Sequence, residues 1–352
     1  MSRTRTLIAL VAFASLPTLA PAQERTHRGI IIGTPRVDGI RVVFRDHGFE
    51  RVHGANISVW NARSGAELGE VQGVALGLPM SAVGDLHGIG IGVLGVGAQG
   101  GTRGLALGGV GAGAGGSMRG LALGGIGVGA GGELRGIAAG GIGVGSGGGI
   151  RGIAVGGVGV GTGGSVRGAI IGGVGAGVGG SARGLLVGGV GVGAGGDARG
   201  IAIGGVGVGA GGDAHGLLLG GVGVGAGGSV GGIAIGGVGV GAGRSIRGVA
   251  VSVIGVGSPE IRGLAVGSVV RARETRGFVL APALFRTFGG AEVRGVTASA
   301  VTLTNGSQHG LAIGIVNYAR SLHGAQLGAI NIVRDNPAGR RVLPVLNCGT
   351  AR

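Results

Sequence analysis

The sequence predicts an all-β solenoid, a fold in which short strands wind around one axis and successive coils stack in parallel. Three observations predict it. A sixteen-residue unit recurs through most of the chain, apolar residues alternate within each unit with a period of two, and 97 of the 352 residues are glycine. Only 12% of the residues are charged and 2% are aromatic, a composition that suits a thin aliphatic core and differs from that of a highly charged disordered tail.

The repeating unit reads Arg-Gly-Leu-Ala-Leu-Gly-Gly-Val-Gly-Val-Gly-Ala-Gly-Gly-Ser-Val in a typical copy. Strict copies begin at His87, Arg103, Arg119, Arg135, Arg151, Arg167, Arg183, Arg199, His215, Gly231 and Arg247. Looser copies open at Arg28, His53, Gln72, Arg262, Arg276, Arg294, His309 and His323. We therefore divide the chain into a signal peptide at 1–22, irregular N-terminal units with a cap at 23–86, strict repeats at 87–262, degenerate repeats at 263–333 and a C-terminal cap at 334–352.

Each unit is predicted to contain two short strands and two corners. Leu105 and Leu107 alternate with smaller residues, as do Val110, Ala112 and Ala114, but the phase changes between the two groups. The chain therefore turns either at Gly108-Gly109 or near Gly111. The end units carry Asn61, Asn317 and Asn331 at the position of Gly111, and a turn is plausible there because Asn and Gly both tolerate positive φ. A second corner is predicted at Gly115-Gly116-Ser117. We expect Leu, Ile and Val ladders to fill the inside, with Ala where the coil narrows.

An outer-membrane β-barrel is the alternative architecture. Leu105 to Ala114 with its flanks has about the 9–11 residues that a tilted membrane-spanning strand requires. The phase change interrupts the lipid-facing alternation, however, and the aromatic girdles typical of such barrels are missing. The period-two glycines exclude a collagen helix and disfavour α-helix. These features favour the solenoid, with aromatic residues confined to irregular ends that act as caps.

The N-terminus is predicted to be an export signal. Arg3 and Arg5 precede a short apolar stretch from Leu7 to Leu16, and Ala20-Pro21-Ala22 forms a small-residue cleavage site. We expect an exported protein at the cell surface, associated with the outer membrane or released. Cys348 is the only cysteine, so the chain can form no internal disulfide.

The end units resemble a family of bacterial surface-repeat proteins whose units read G-[LV]-Q-[LI]-G-[LI]-[LIV]-N. The residues that carry this resemblance are Gly324 to Asn331, the unit at 309–317 and the segment from Leu343 to Asn347. The resemblance implies a surface-associated, non-catalytic protein without a defined site residue.

No catalytic or cofactor-binding pattern emerges from the sequence. Gly-x-Gly-x-x-Gly matches occur without the helix that a dinucleotide site needs. Asp197 and Asp213 occupy a position held by Ser, Glu or Gly in other units, unlike a calcium-binding repeat, which needs Asp in every turn. The five His residues that open units replace the usual Arg, which indicates a solvated corner. We therefore expect no enzyme activity, no cofactor and no metal.

The feature with functional promise is a row of arginines. Arginine alone carries the positive charge, because the chain has no lysine, and the net charge is +15. If coils stack in register, Arg103, Arg119, Arg135, Arg151, Arg167, Arg183, Arg199 and Arg247 align along one edge. Such a row suits a repeating polyanion such as lipopolysaccharide or an acidic polysaccharide; specific nucleic-acid binding is disfavoured by the scarcity of aromatic residues. Alternatively, the arginines only keep an apolar rod soluble. Bare glycines at Gly111 and Gly113 could also allow self-association.

Overall fold

The computed structural model describes residues 27–31, 36–60, 62 and 66–349, and the predicted signal peptide at 1–22 lies outside these residues. The described chain forms a parallel β-solenoid of about 18 turns, with equivalent positions about 16 residues apart. The predicted fold class is therefore confirmed. At a strand spacing of about 4.8 Å, the rod is roughly 85 Å long.

The first strands belong to the irregular units and are β1 (His27–Ile31), β2 (Arg36–Arg45), β3 (Arg51–Trp60), β4 (Glu70–Gly77) and β5 (Met80–Val83). Each strict repeat then has one long and one short strand. The long strands are β6 (Asp85–Gly92), β8 (Thr102–Gly108), β10 (Met118–Gly124), β12 (Glu133–Gly140), β14 (Gly149–Gly156), β16 (Val166–Gly172), β18 (Ala182–Gly188), β20 (Ala198–Gly204), β22 (Ala214–Gly220), β24 (Val230–Gly236), β26 (Ser245–Ser252) and β28 (Glu260–Val266).

The short strands alternate with them and are β7 (Gly95–Ala98), β9 (Gly111–Ala114), β11 (Gly127–Ala130), β13 (Gly143–Ser146), β15 (Gly159–Thr162), β17 (Gly175–Val178), β19 (Gly191–Ala194), β21 (Gly207–Ala210), β23 (Gly223–Ala226), β25 (Gly239–Ala242) and β27 (Gly255–Gly257). β29 (Val269–Ile313) and β30 (Val316–Val333) each run through more than one coil. A 3-10 helix (Ala338–Arg340) precedes β31 (Val342–Cys348).

Every strict repeat pairs with the next one in parallel and in register. Arg103 pairs with Arg119, Leu105 with Leu121 and Gly111 with Gly127, each partner sixteen residues further along the chain. In the β-barrel considered as the alternative, consecutive strands would pair with each other in antiparallel fashion. Long strands instead pair with long strands and short strands with short ones, which is the pattern of a solenoid.

The chain bends at three places in each coil. The first bend lies at Gly109 and Val110, next to the predicted Gly108-Gly109 corner, and the second lies at Gly115 and Gly116. The third was not predicted. Gly104 has φ of 124°, and Arg103 and Gly104 are both exposed, so the alternation of the long strand is interrupted there. A Cβ on Gly104 would lie 2.1 Å from the carbonyl oxygen of Gly88, so only glycine fits.

In the long strand the residue three positions after the Arg faces inwards, and the residues two and four positions after it face outwards, which corrects our expectation. Ala106 is 2% exposed, whereas Leu105 and Leu107 on either side face outwards. Ala112 and Ala114 of the short strand point inwards, while Val110 is 43% exposed at the corner. The cause is the closeness of the two strands at the corner. A Cβ on the inward-facing Gly108 would lie 1.9 Å from the carbonyl oxygen of Gly111, which leaves little room inside.

Two inward positions of each coil share this room. One precedes the Arg position and the other lies three residues after it. Where the first residue is large, the second is Ala, as in the pairs Leu134 with Ala138 and Ile150 with Ala154. Where the second residue is large, the first is smaller, as in Val166 with Ile170, Ala182 with Leu186 and Ala214 with Leu218. The coil of Arg199 departs furthest from this rule, because Ala198 and Ala202 are both Ala. A narrow gap, too small for a water molecule, lies beside these residues between Leu186 and Leu218 of the neighbouring coils.

The N-terminal coils contain a buried polar network. Arg41 is 1% exposed and donates hydrogen bonds of 2.7 Å each to Asp46 Oδ1 and Asn56 Oδ1. Asn56 Nδ2 donates to the same Asp46 oxygen at 3.1 Å, and the Arg41 guanidinium lies 4.5 Å from the centre of the Phe49 ring. The apolar core therefore ends on a paired charge at this end of the rod.

The C-terminal coils also have a polar interior. Asn317 and Asn331 are fully buried, neither has a positive φ, and Asn317 Nδ2 donates to Asn331 Oδ1 at 2.9 Å. The chain therefore does not turn at these asparagines, the second of the two corners considered from the sequence. Their side chains instead bridge coils from the inside. Asn61 lies outside the described residues. Finally, β31 pairs with β30 in antiparallel fashion, which covers the last sheet edge.

Candidate functional site

The predicted arginines form a continuous column on the outside of the solenoid. We call the set Arg103, Arg119, Arg135, Arg151, Arg167, Arg183, Arg199 and Arg247 the Arg column. Backbone pairing places the first seven in consecutive coils, so they stand about 4.8 Å apart. Arg135 is half-buried and the other seven are exposed.

The local sequence explains why these side chains point outwards. Each Arg lies between a buried residue, such as Met118 before Arg119, and the glycine of the third bend. The positive φ of that glycine, 118° at Gly120, turns the chain so that Arg and Gly are both exposed. The Arg column therefore runs along the bend where every coil turns onto its long strand.

The column is interrupted between Arg199 and Arg247. His215 and Gly231 occupy the two intervening positions. A Cβ on Gly231 would lie 2.4 Å from His215 Cδ2, so the imidazole covers the place where a side chain at position 231 would begin. The Arg column thus consists of one block of seven arginines and an outlying eighth.

Acidic side chains pair with some of the arginines. Glu133 lies between two of them, with Oε2 2.6 Å from Arg135 Nη2 and Oε1 2.6 Å from Arg151 Nε. The hydrogen bond from Arg135, with the charges of the nearby arginines, lowers the pKa of this carboxyl below its usual 4.5. Asp197 Oδ2 pairs with Arg199 Nη2 at 3.1 Å.

The remaining members of the Arg column are Arg103, Arg119, Arg167, Arg183 and Arg247, and within the described part of the chain none of them forms an ion pair. They fall into two adjacent pairs and one single residue. Their guanidinium N–H groups can therefore donate hydrogen bonds to the oxygens of a carboxylate or a phosphate. The strongest uncompensated positive charge therefore lies at 103–119 and 167–183.

A second column, two residues before the Arg column, has a structural role. Its Ser and Asp side chains accept a hydrogen bond from the backbone N–H of the same position in the next coil. Glu133 N donates to Ser117 Oγ at 3.2 Å, Asp213 N to Asp197 Oδ1 at 2.9 Å and Ser229 N to Asp213 Oδ1 at 2.7 Å. The bond from Ser229, together with Arg244, lowers the pKa of Asp213. Asp197 and Asp213, considered above for calcium, thus stabilise the coil stacking.

The histidines that replace Arg stand in the same outer column. His87 Nδ1 lies 2.8 Å from Glu70 Oε1, and His309 and His323 stack in parallel with their ring centres 4.4 Å apart. Within the described part of the chain, no three His, Cys, Asp or Glu side chains form a group that could hold a metal ion.

An extensive apolar surface, which was not predicted from the sequence, lies beside the Arg column. Residues two and four positions after each Arg, and the residue at the first bend, all face outwards. In the coil that starts at Arg151 these are Ile153, Val155 and Val158, with exposed fractions of 42%, 38% and 51%. The signal that could have revealed this surface is the alternation itself, which allows either the Leu or the Ala set to face inwards.

Comparison with known proteins found no matching family model, no matching curated protein and no matching solved structure. The resemblance of the end units to bacterial surface-repeat proteins therefore stays a prediction. The class of molecule that the geometry defines is a parallel β-solenoid with a basic column on one bend. Among the described residues, no helix is long and apolar enough to cross a membrane.

Proposed function

We propose that this chain is an exported, non-catalytic interaction protein of the bacterial cell surface, and that it binds anionic polymers along the Arg column. The observation that carries the proposal is the register of seven arginines in consecutive coils. The paired backbone already holds the arginines at a fixed spacing, so a repeating polyanion can bind without ordering the chain that carries them, which lowers the entropic cost of binding.

The charge balance supports a polyanion over a single small anion. The chain has a net charge of +15, and the arginines without ion pairs are separated by those paired with Glu133. A small anion could contact only two adjacent guanidinium groups, whereas an extended polymer can contact both 103–119 and 167–183. Over seven coils the block spans about 29 Å, a length that suits several repeating units of an acidic polysaccharide.

The proposal is tested by measuring binding of the mature chain to polygalacturonate and to dextran sulfate at increasing salt. We expect the association constant to fall steeply with salt, because binding releases counterions. The variant Arg103→Gln/Arg119→Gln/Arg167→Gln/Arg183→Gln should lose at least tenfold in affinity and show a shallower salt dependence.

A matched control removes the same charge from outside the Arg column. Arg271, Arg273, Arg286 and Arg320 are exposed and belong to other positions of the coil, so replacing these four by Gln should change the affinity less than threefold. Equal losses in the two variants would show that general basicity, and not the column, attracts the polymer. No binding to either polymer at low salt would refute the proposal. Glu133→Gln should strengthen binding, since it releases Arg135 and Arg151.

A further inference from the structure

The exposed apolar residues form one continuous surface, which we call the outer apolar face. It consists of three columns: the residues two and four positions after each Arg, and the residue at the first bend. Ile201, Ile203 and Val206 represent it in one coil, with exposed fractions of 41%, 36% and 50%. The same three columns recur from Ile89 to Ile254, so the face extends along the whole strict-repeat region.

The outer apolar face is larger than a folded monomer normally exposes. Eleven coils at about 4.8 Å give a length of roughly 53 Å, and five residues at about 3.3 Å give a width of roughly 16 Å. The resulting area, on the order of 800 Å², exceeds the apolar patches of about 300–600 Å² that are usual on soluble proteins. Patches of this size are typical of surfaces that are covered by a partner or a membrane.

A shallow groove runs along this face. Ile91, Leu107, Leu123 and Val155 form one wall over five coils, and the glycines of the first bend, such as Gly125, form its floor. Val93 closes the groove at its N-terminal end, at the position that Gly109 occupies in the next coil. The groove is apolar along its length and lies parallel to the Arg column.

Charge borders the outer apolar face on one side only. The Arg column lies two residues from the nearest apolar column, on the other side of the third bend, so at most about 7 Å of chain separates them. Aromatic residues stand on the same face near its ends. Phe278 continues the column of Leu105 and is 41% exposed, and Phe44 shares a face with Ile40 and Val42 and is 65% exposed. Cations beside an apolar surface with aromatic residues at its ends are typical of the interfacial region of a membrane.

We infer that the outer apolar face and the Arg column together bind the surface of an anionic lipid bilayer. This inference rests on the function proposed for the Arg column. The aliphatic side chains and the groove contact the acyl region just below the headgroups, while the guanidinium groups bind lipid phosphates at the edge of the face. A second copy of the chain would bring its own Arg column against the first, whereas an anionic bilayer provides the opposite charge.

The test measures co-sedimentation of the mature chain with vesicles of phosphatidylcholine alone and of phosphatidylcholine with one quarter phosphatidylglycerol. The variant Val158→Thr/Val174→Thr/Val190→Thr/Val206→Thr replaces half-exposed corner residues by isosteric, β-branched ones, so the solenoid is retained. Loss of one methyl-sized contact lowers partitioning about fourfold. We expect at least a tenfold loss of binding to anionic vesicles and less than a twofold change with polygalacturonate.

The control variant carries Ile at the same four positions and should bind anionic vesicles at least as well as the native chain. Circular dichroism should show equal strand content in all three proteins. The inference is overturned if the Thr variant binds vesicles like the native chain. It is also overturned if the native chain is a dimer that the Thr variant converts to monomers, because a second copy then covers the face.

Two outcomes separate this inference from the proposed function. If the native chain binds polygalacturonate but no vesicle, the inference fails and the proposed function stands. If it binds anionic vesicles but neither polymer, and the four-Arg variant binds those vesicles normally, the proposed function fails together with the role given to the Arg column. The inference and the proposed function are both supported if the native chain binds vesicles and polymers, the four-Thr and four-Arg variants both lose vesicle binding, and only the four-Arg variant loses polymer binding.

Discussion

The glycine that follows each member of the Arg column should be the least replaceable residue of its coil, and Gly168 provides a sharp test. Its φ is 133°, a conformation that residues with a side chain rarely adopt. A Cβ at this position would lie 2.0 Å from the carbonyl oxygen of Gly152 and 2.9 Å from its carbonyl carbon. Both atoms belong to backbone, so Gly168→Ala can be accommodated only if two coils separate locally.

The expected magnitude follows from these two effects. A strained backbone conformation costs about 1–3 kcal/mol, and weakening one or two backbone hydrogen bonds between the coils costs about 1 kcal/mol each. Gly168→Ala should therefore lower the free energy of unfolding by roughly 2–5 kcal/mol. Gly177 in the same coil is a matched control, because a Cβ there has no atom within 4 Å and its φ is not positive. Gly177→Ala should raise the free energy of unfolding by roughly 0.4–1 kcal/mol.

Amide hydrogen exchange measures both effects where they arise. Coils contact only their neighbours, so the loss of protection in Gly168→Ala should be greatest in residues 151–182 and should decline along the rod. Guanidinium unfolding followed by circular dichroism gives the overall change. If Gly168→Ala and Gly177→Ala shift the unfolding midpoint equally, or if Gly168→Ala leaves exchange in residues 151–182 unchanged, the close approach of the coils does not govern stability.

Three further predictions concern the core and the ion pairs. Ile150 packs opposite Ala154, so Ala198→Ile, opposite Ala202, should fit in the same way and stabilise the protein by about 1 kcal/mol. Ala182→Ile, opposite the large Leu186, should destabilise it by about 1–3 kcal/mol, and thermal unfolding of the two variants compares them. Gln326 is fully buried, and neither of its amide atoms has a hydrogen-bond partner among the described residues, so Gln326→Met should raise the urea midpoint by the equivalent of about 1–2 kcal/mol; a lower midpoint would show that the amide is satisfied. Because the pKa of Glu133 is lowered in the folded state, its ion pairs stabilise the protein above pH 4.5, and this contribution is lost as the pH falls through the lowered pKa. The difference in unfolding free energy between the native chain and Glu133→Gln should therefore be largest at pH 7 and should vanish as the pH falls through the lowered pKa, and a difference that does not change with pH would contradict this reasoning.

The fold class and the register were predictable because both follow from a strict period. Sixteen residues per coil place Arg103 above Arg119 whatever the shape of the coil, and the phase change near Gly108 requires a bend. The choice of which alternate residues face inwards was not predictable in the same way. Leu105 and Ala106 belong to two sets with the same period, and the usual preference for burying the larger side chain gave the wrong answer.

The reason for this failure is the narrowness of the coil, a property of three dimensions that no single repeat displays. The inward-facing Gly108 leaves no space for a Cβ before the carbonyl oxygen of Gly111, so the alternate set that ends in this glycine faces inwards. The other set, which would place the larger Leu107 next to the corner, faces outwards. The third bend, by contrast, had a readable signal. A glycine follows the opening residue in every unit, and its positive φ at Gly104 explains why. The ion pairs of Glu133 depend on side-chain conformations. The sequence indicated only that Glu133 lies close to some of the arginines.

The reciprocal sizes of the two inward residues make each coil self-contained. Because Leu134 is matched by Ala138, and Ala182 by Leu186, within their own coils, the volume inside one coil does not depend on which coil lies above it. Sixteen-residue segments can then be duplicated, deleted or exchanged without repacking their neighbours. Gene duplication of this kind would lengthen the molecule in steps of about 4.8 Å and add an arginine and three apolar side chains each time, so that length and avidity would evolve together through copy number alone.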